Sequence, residues 1–217
     1  KTDEEISLMR EANHLVGQTL GELAKWVQPG ISTKRLDQIA EEFIRDNGGV
    51  PGFKGYEGFP GTLCIEVNDE VVHGFPSEYI LKDGDIVGLD CGVVLNGFNG
   101  DSCYTYPVGN VNESILHLLK TTKESLYLGI EQAKVGNRIG NIGFAIQDYC
   151  EHKGYSVVRE LTGHGIGQKL HEDPDIPNYG RKGVGPLLRL GMCICIEPMI
   201  NEGSKNVVCD RNGWTIR

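Results

Sequence analysis

The dipeptide Asn96-Gly97 stands between two runs of strand-prone residues, 85–95 and 98–108. Asn-Gly is the strongest short-range signal for a two-residue type I′ hairpin, because both central residues must take positive φ. With these two residues as the turn, Leu95 faces Phe98, and counting outward puts Asp90 opposite Cys103. Asp101 lies two residues from Cys103 on the same strand, so Asp90 and Asp101 point to the same sheet face as diagonal neighbours. Such neighbours sit roughly 7–8 Å apart at the backbone, close enough for converging side chains to meet. Two carboxylates that converge repel each other and need a cation, a proton or a basic partner. The alternative is a solvated face, with Val87 and Leu89, of opposite parity, turned to the core. A bulge or a longer turn would separate the pair.

Helical periodicity surrounds this hairpin. A first helix is expected over 3–27, opened by Asp3, Glu4 and Glu5 and stopped by Pro29-Gly30. The second is the cleanest: Leu36, Ile39, Ala40, Phe43 and Ile44 follow the 3.6-residue repeat, Ser32 or Thr33 caps the start, and Gly48-Gly49 ends it. A third over 112–133 would turn Ile115, Leu118, Leu119, Leu126 and Ile130 inward, and a fourth spans 141–153. Further strands are expected over 62–67, 155–161 and 193–199, and the Pro- and Gly-rich segment 174–189 reads as a loop wrapping the site. Two helices then strands, repeated, suggest two similar halves in an α+β fold, with antiparallel strands covered on one face by helices.

Charge and cysteine usage exclude some functions. A net charge of −9 without a Lys/Arg cluster argues against a nucleic-acid partner. No apolar run reaches the length of a membrane helix, and no signal segment is expected at the start. Seven cysteines, an odd number with no C-x-x-C pair, point to a reducing compartment, most simply the cytoplasm.

Three further places hold chemistry-bearing residues. His164 sits in Gly163-His164-Gly165-Ile166-Gly167, where glycines permit close backbone approach, and His171 follows seven residues on. Glu197 ends Cys193-Ile194-Cys195-Ile196-Glu197, on the face opposite the two isoleucines, where an acid needs a partner if it is buried. It could instead cap a strand end beside Pro198. His73 lies in Val72-His73-Gly74-Phe75-Pro76, downstream of Tyr56, Phe59 and Cys64, residues that suit either an apolar pocket or core and turn positions. His14, His117 and His152 fall on helices among charged neighbours and read as exposed or structural.

Together, the segments 58–76, 81–109, 163–180 and 191–203, in this order, resemble the type I methionine aminopeptidases over essentially the whole chain. The resemblance implies a pita-bread fold, pseudo-twofold, in a single metallopeptidase domain over 1–217. It implies two divalent metal ions, with Co, Mn, Fe or Zn all plausible for carboxylate-rich ligation with one imidazole. On the matching positions Asp90, Asp101, His164 and Glu197 are metal ligands, with Asp101 bridging. His73 and His171 are catalytic residues that contact the peptide and its scissile carbonyl. Tyr56, Phe59, Cys64, Leu170 and Trp214 line the methionine pocket. The implied partners are polypeptide N-termini, met at the ribosome, with no nucleic acid, no membrane and a monomeric protein.

Two departures stand out. The family carries one more glutamate ligand beyond the position of Trp214, and here that place falls past Arg217, so the domain is expected to lack this ligand and its closing strand. Leu170 stands at a place more usually aromatic, and Phe59 at one often tyrosine. Two other readings stay open: a proline-specific aminopeptidase of the same fold, and a non-catalytic pita-bread module that binds a partner.

Overall fold

The structure, a computed structural model, describes residues 1–217. The chain divides into two compact units. The first comprises Asp3–Asn112, Gly167–Leu170 and Val208–Arg217. It contains helices α1 (Asp3–Leu23) and α2 (Thr33–Asp46) and strands β1 (Val50–Pro51), β2 (Leu63–Val67), β3 (Ile86–Leu95) and β4 (Phe98–Pro107). The strands form one antiparallel sheet. β4 pairs with β3 along its whole length, while β1 and β2 share the other edge of β3 end to end.

The hairpin at its centre is the one expected. Leu95 pairs with Phe98, and Asn96 and Gly97 have φ of 52° and 81°, the signature of a type I′ turn. Strand parity sorts the side chains. Val87, Leu89, Cys91 and Val93, with Leu63 and Ile65 of β2, enter a core completed by Leu15, Val16, Leu20 and Leu23 of α1 and Leu36, Ile39, Ala40 and Ile44 of α2. Each buried Val, Leu or Ile side chain among these, removed from water, contributes about 1.5–3 kcal/mol. Ser32 caps α2, its side chain accepting from the N–H of Arg35. Asp37 of α2 accepts the backbone N–H groups of Thr62 and Leu63 at 2.7 and 2.8 Å and so fixes the start of β2. α1 lies so close to β4 that a Cβ on Gly100 would stand 2.7 Å from the helix backbone at Ala12 and Asn13.

The second unit comprises Lys1–Thr2, Glu113–Ile166 and His171–Val207. It contains α3 (Glu113–Gln132), α4 (Ile139–His152), and the short strands β5 (Ser156–Val157), β6 (Gly163–Gly165), β7 (Glu172–Ile176) and β8 (Ile200–Asn201). β5 pairs with β8, and β6 with β7 across a register shift. Its core gathers Ile139, Ile142, Ile146, Cys150, Val157, Ile176 and Leu188.

Three expectations need correction here, and a fourth holds in all but its first residues. The face of α3 that is buried holds Thr121, Ser125 and Gly129, whereas Ile130 is exposed. α4 packs so tightly that a Cβ on Gly129 would lie 2.9 Å from Ile146, and small residues win that seam over a large isoleucine. The segment 193–199 is no ladder strand: it makes one bridge, Gly165 to Ile194, and scattered bonds such as Cys195 N–H to His164 O at 2.7 Å. The irregular register beside it breaks the ladder. The strand expected over 155–161 shrinks to Ser156–Val157. Segment 174–189 begins within β7 and then runs irregularly, its carbonyls at Pro177, Tyr179, Arg181 and Val184 pressed against Gly140 and Gly143 of α4.

None of the seven cysteines forms a disulfide, and no helix is long and apolar enough to cross a membrane.

Candidate active site

In the first unit, the sheet face opposite the core carries the acidic pair. Asp90 lies between Cys64 on β2 and Cys103 on β4, and Asp101 pairs with Gly92 one step along. Both aspartates are half-buried on the same face, the outcome that the turn geometry predicts. Glycines clear the ground around them. A Cβ on Gly92 would strike the Phe53 ring, and one on Gly88 would stand 2.8 Å from Glu66 Oε2. Burial, then the Asp90 carboxylate, pushes the Cys64 thiol well up, so Cys64 stays a neutral, soft wall of this face.

A cluster of rings stands in the same unit. Phe59 is buried, with Phe75 and Trp214 edge-on to it at 5.3 Å each, and the His73 ring packs edge-on to Trp214 at 6.3 Å. Tyr56 opens the short 3₁₀ turn Tyr56–Gly58 that leads into Phe59. Cys64 and Leu170 are buried. Leu170 ends a segment tied to β4 by Asn99, whose side-chain amide donates to the carbonyls of Gly167 and Gln168 at 3.0 Å and whose backbone N–H donates to Gly167 O at 2.8 Å. Phe75 is a ring that the pocket residues named from sequence leave out; its place two residues after His73 in His-Gly-Phe-Pro is the signal that could have found it.

Glu66 was also missed. It opposes Gly88 on the aspartate face, is 5% exposed, and accepts the Gly74 N–H at 3.2 Å. Burial raises its carboxyl to about 8, against the lowering effect of that bond. An acid in the run Leu-Cys-Ile-Glu-Val was the available signal.

In the second unit His164, His171 and Glu197 come together. The His164 and His171 rings lie edge-on at 4.3 Å, and His164 Nε2 is 3.2 Å from Glu197 Oε1. The glycines that frame His164 serve close approach rather than unusual dihedrals. A Cβ on Gly163 would strike the carbonyl of Cys195, and one on Gly165 the carbonyl of Asp173. Ile194 and Ile196 pack on the core, as the alternation implies. His171 is exposed. His14, His117 and His152 are exposed too; His117 bonds to the Tyr155 hydroxyl at 2.7 Å and His152 to the Asp148 carbonyl at 2.6 Å.

The donor chemistry of His164 and Glu197 suits a metal ion. His164 Nδ1 lies 2.8 Å from the Gly165 carbonyl, which can only accept, so Nδ1 carries the proton. Nε2 then presents its lone pair toward a carboxylate oxygen, and two acceptors at that separation require a cation or a proton between them. A ring whose Nδ1–H is held by a backbone carbonyl while Nε2 faces a carboxylate is the usual arrangement of a metal-ligating histidine.

Residues 7–217 match the profile of metallopeptidase family M24. The chain belongs to this family. It is 54% identical over 216 residues to methionine aminopeptidase 1 of Bacillus subtilis, covering 100% of this chain and 87% of that protein. The methionine aminopeptidase of Clostridium perfringens is similar at 54% identity with the same coverage. Among solved structures, the methionine aminopeptidase of Rickettsia prowazekii matches with a TM-score of 0.98 at 40% identity, over 100% of this chain and 88% of that one. The prolidase of Pyrococcus furiosus matches with a TM-score of 0.77 at 25% identity, over 91% of this chain and 56% of that one. The fold is therefore the α+β pita-bread fold of these metallopeptidases, and M24 membership makes the chain a hydrolase that uses divalent metal.

Proposed function

We propose that this chain removes the N-terminal methionine from polypeptides by metal-assisted hydrolysis in the cytoplasm. The observation that carries the reading is its full-length likeness to methionine aminopeptidases, greater in identity and coverage than its likeness to prolidases. The ring cluster supports it. Methionine is flexible and polarisable, and favours aromatic edges and soft sulfur neighbours, which Phe59, Phe75, Trp214 and Cys64 offer within one unit.

In this reading Asp90, Asp101, His164 and Glu197 would hold two divalent ions drawn from Co, Mn, Fe and Zn. Ions bound there supply Lewis acidity and lower the pKa of the hydrolytic water. The chain's own groups do the rest. The Gly165 carbonyl fixes the tautomer of His164. Phe59 and Trp214 hold the methionine side chain, and Leu170 closes the pocket where Asn99 anchors its segment. His73 and His171 donate hydrogen bonds to the peptide, and donation to the developing oxyanion is worth most in the transition state. The occupant is a peptide N-terminus emerging from the ribosome, acted on by a monomer.

The test is to supply the chain, loaded with Mn or Co, with Met-Gly-Met and with Xaa-Pro dipeptides. Release of methionine from the first in preference to cleavage of the second is expected. Preference for the proline substrate, or no turnover with either metal, overturns the reading.

A further inference from the structure

We propose that Glu66 is a positioning residue for His73, its buried carboxyl holding the 72–74 turn in the conformation that presents the imidazole to the bound peptide. This rests on the reading that His73 meets the substrate.

His73 has φ of 60°, a left-handed conformation uncommon for a residue with a side chain, and one that persists only where surroundings impose it. Those surroundings can be named. The Glu66 carboxyl accepts the N–H of Gly74 at 3.2 Å, and the backbone of His73 acts on the same carboxyl to lower its pKa. The His73 carbonyl accepts the Thr215 hydroxyl at 3.3 Å, and the Gly74 carbonyl accepts the Ile65 N–H at 2.9 Å. A Cβ on Gly74 would strike the Ile65 carbonyl, so the backbone here lies flat on β2. The ring that emerges packs edge-on to Trp214.

The place for the carboxyl is built. Glu66 is 5% exposed, and Gly88 opposite it leaves the volume that the carboxyl fills. The bond from Gly74 N–H to this buried acceptor pins the peptide plane that follows His73. An apolar residue at 66 would leave the Gly74 donor buried and unpaired, and the turn would relax toward an ordinary conformation.

The experiment compares Glu66→Gln, which keeps a carbonyl acceptor, with Glu66→Leu, which keeps the volume and removes it, each alone and combined with His73→Ala. Amide hydrogen exchange reads the turn directly. Gly74 is expected to stay protected in the parent and the Gln variant, and to exchange about tenfold faster or more in the Leu variant. With Met-Gly-Met as substrate, Leu is expected to lower kcat about tenfold with bound metal and KM unchanged, and Gln to stay within about twofold. In the His73→Ala background Leu should add less than about twofold, because its effect passes through His73.

Unchanged Gly74 protection in the Leu variant overturns the proposal. So does a Leu variant with full kcat, one that loses its metal, or one whose loss repeats in full without the His73 ring. A parent protein that releases no methionine would sink the functional reading instead, while Gly74 exchange would still decide whether Glu66 holds the turn.

Discussion

Replacing Glu66 by glutamine should change how stability depends on pH. Burial raises the Glu66 carboxyl from 4.5 to about 8 in the native state. Between those values the unfolded chain gives up its proton and the native chain keeps it. The native state then binds more protons, so stability falls as pH rises. The contribution is fully present below 4.5, where both states are protonated, and is lost by about 8. At about 1.36 kcal/mol per unit, the span sets a ceiling of about 5 kcal/mol. Relaxation around a buried carboxylate reduces such values, and about 2–3 kcal/mol between pH 5 and pH 8 is the expected size. Glutamine keeps the acceptor for Gly74 and cannot ionise. Urea unfolding of the metal-free protein at a series of pH values, for parent and variant side by side, cancels every other titrating group. The glutamine variant should gain on the parent steadily as pH rises through the window. A difference that stays constant from pH 5 to pH 8, or one that runs the other way, refutes the argument.

Other outcomes follow from single contacts. Gly100→Ala places a methyl against the α1 backbone and should cost about 1–3 kcal/mol in urea unfolding, with loss of activity through the neighbouring Asp101; an unchanged midpoint would show that α1 yields freely. Asn99→Ala removes the side-chain donor to the Gly167 and Gln168 carbonyls, leaving Gly167 O its backbone bond to residue 99, at a cost of about 1–3 kcal/mol, and should raise KM for methionine peptides by loosening Leu170; a kcat effect alone would contradict that route. His164→Ala should lower the metal retained after dialysis, whereas His171→Ala should lower turnover with metal still bound; equal metal loss in both would contradict their separate roles. Chelation should abolish turnover, and added Mn or Co should restore it within the same sample; residual activity in excess chelator would point away from metal-assisted chemistry.

What could be read from the chain was what local periodicity controls. The hairpin, its register and the shared face of Asp90 and Asp101 all follow from one turn and a period of two, and the structure reproduces them residue for residue. α2 was equally legible, because its cap, its apolar stripe and its stop lie within the helix or beside it. Segment 193–199 was not. Alternating side chains said strand, but a ladder needs a partner in register, and that partner carries an irregularity invisible from 193–199 alone. α3 misled for a related reason. Its apolar residues outnumber what one seam can take, and the choice of Thr121, Ser125 and Gly129 belongs to the shape of α4. Glu66 went unread because the spacing gives its face but not the turn that folds onto it.

The tight turn at Asn96 and Gly97 has a kinetic meaning. It brings both aspartates into register by closing only a two-residue loop, at a small cost in chain entropy, whereas His164 and Glu197 depend on a much longer closure. Contacts of short sequence separation form early and re-form quickly after local opening. The acidic pair thus needs only the hairpin and its packing to align, whereas the histidine and the glutamate wait on a longer loop.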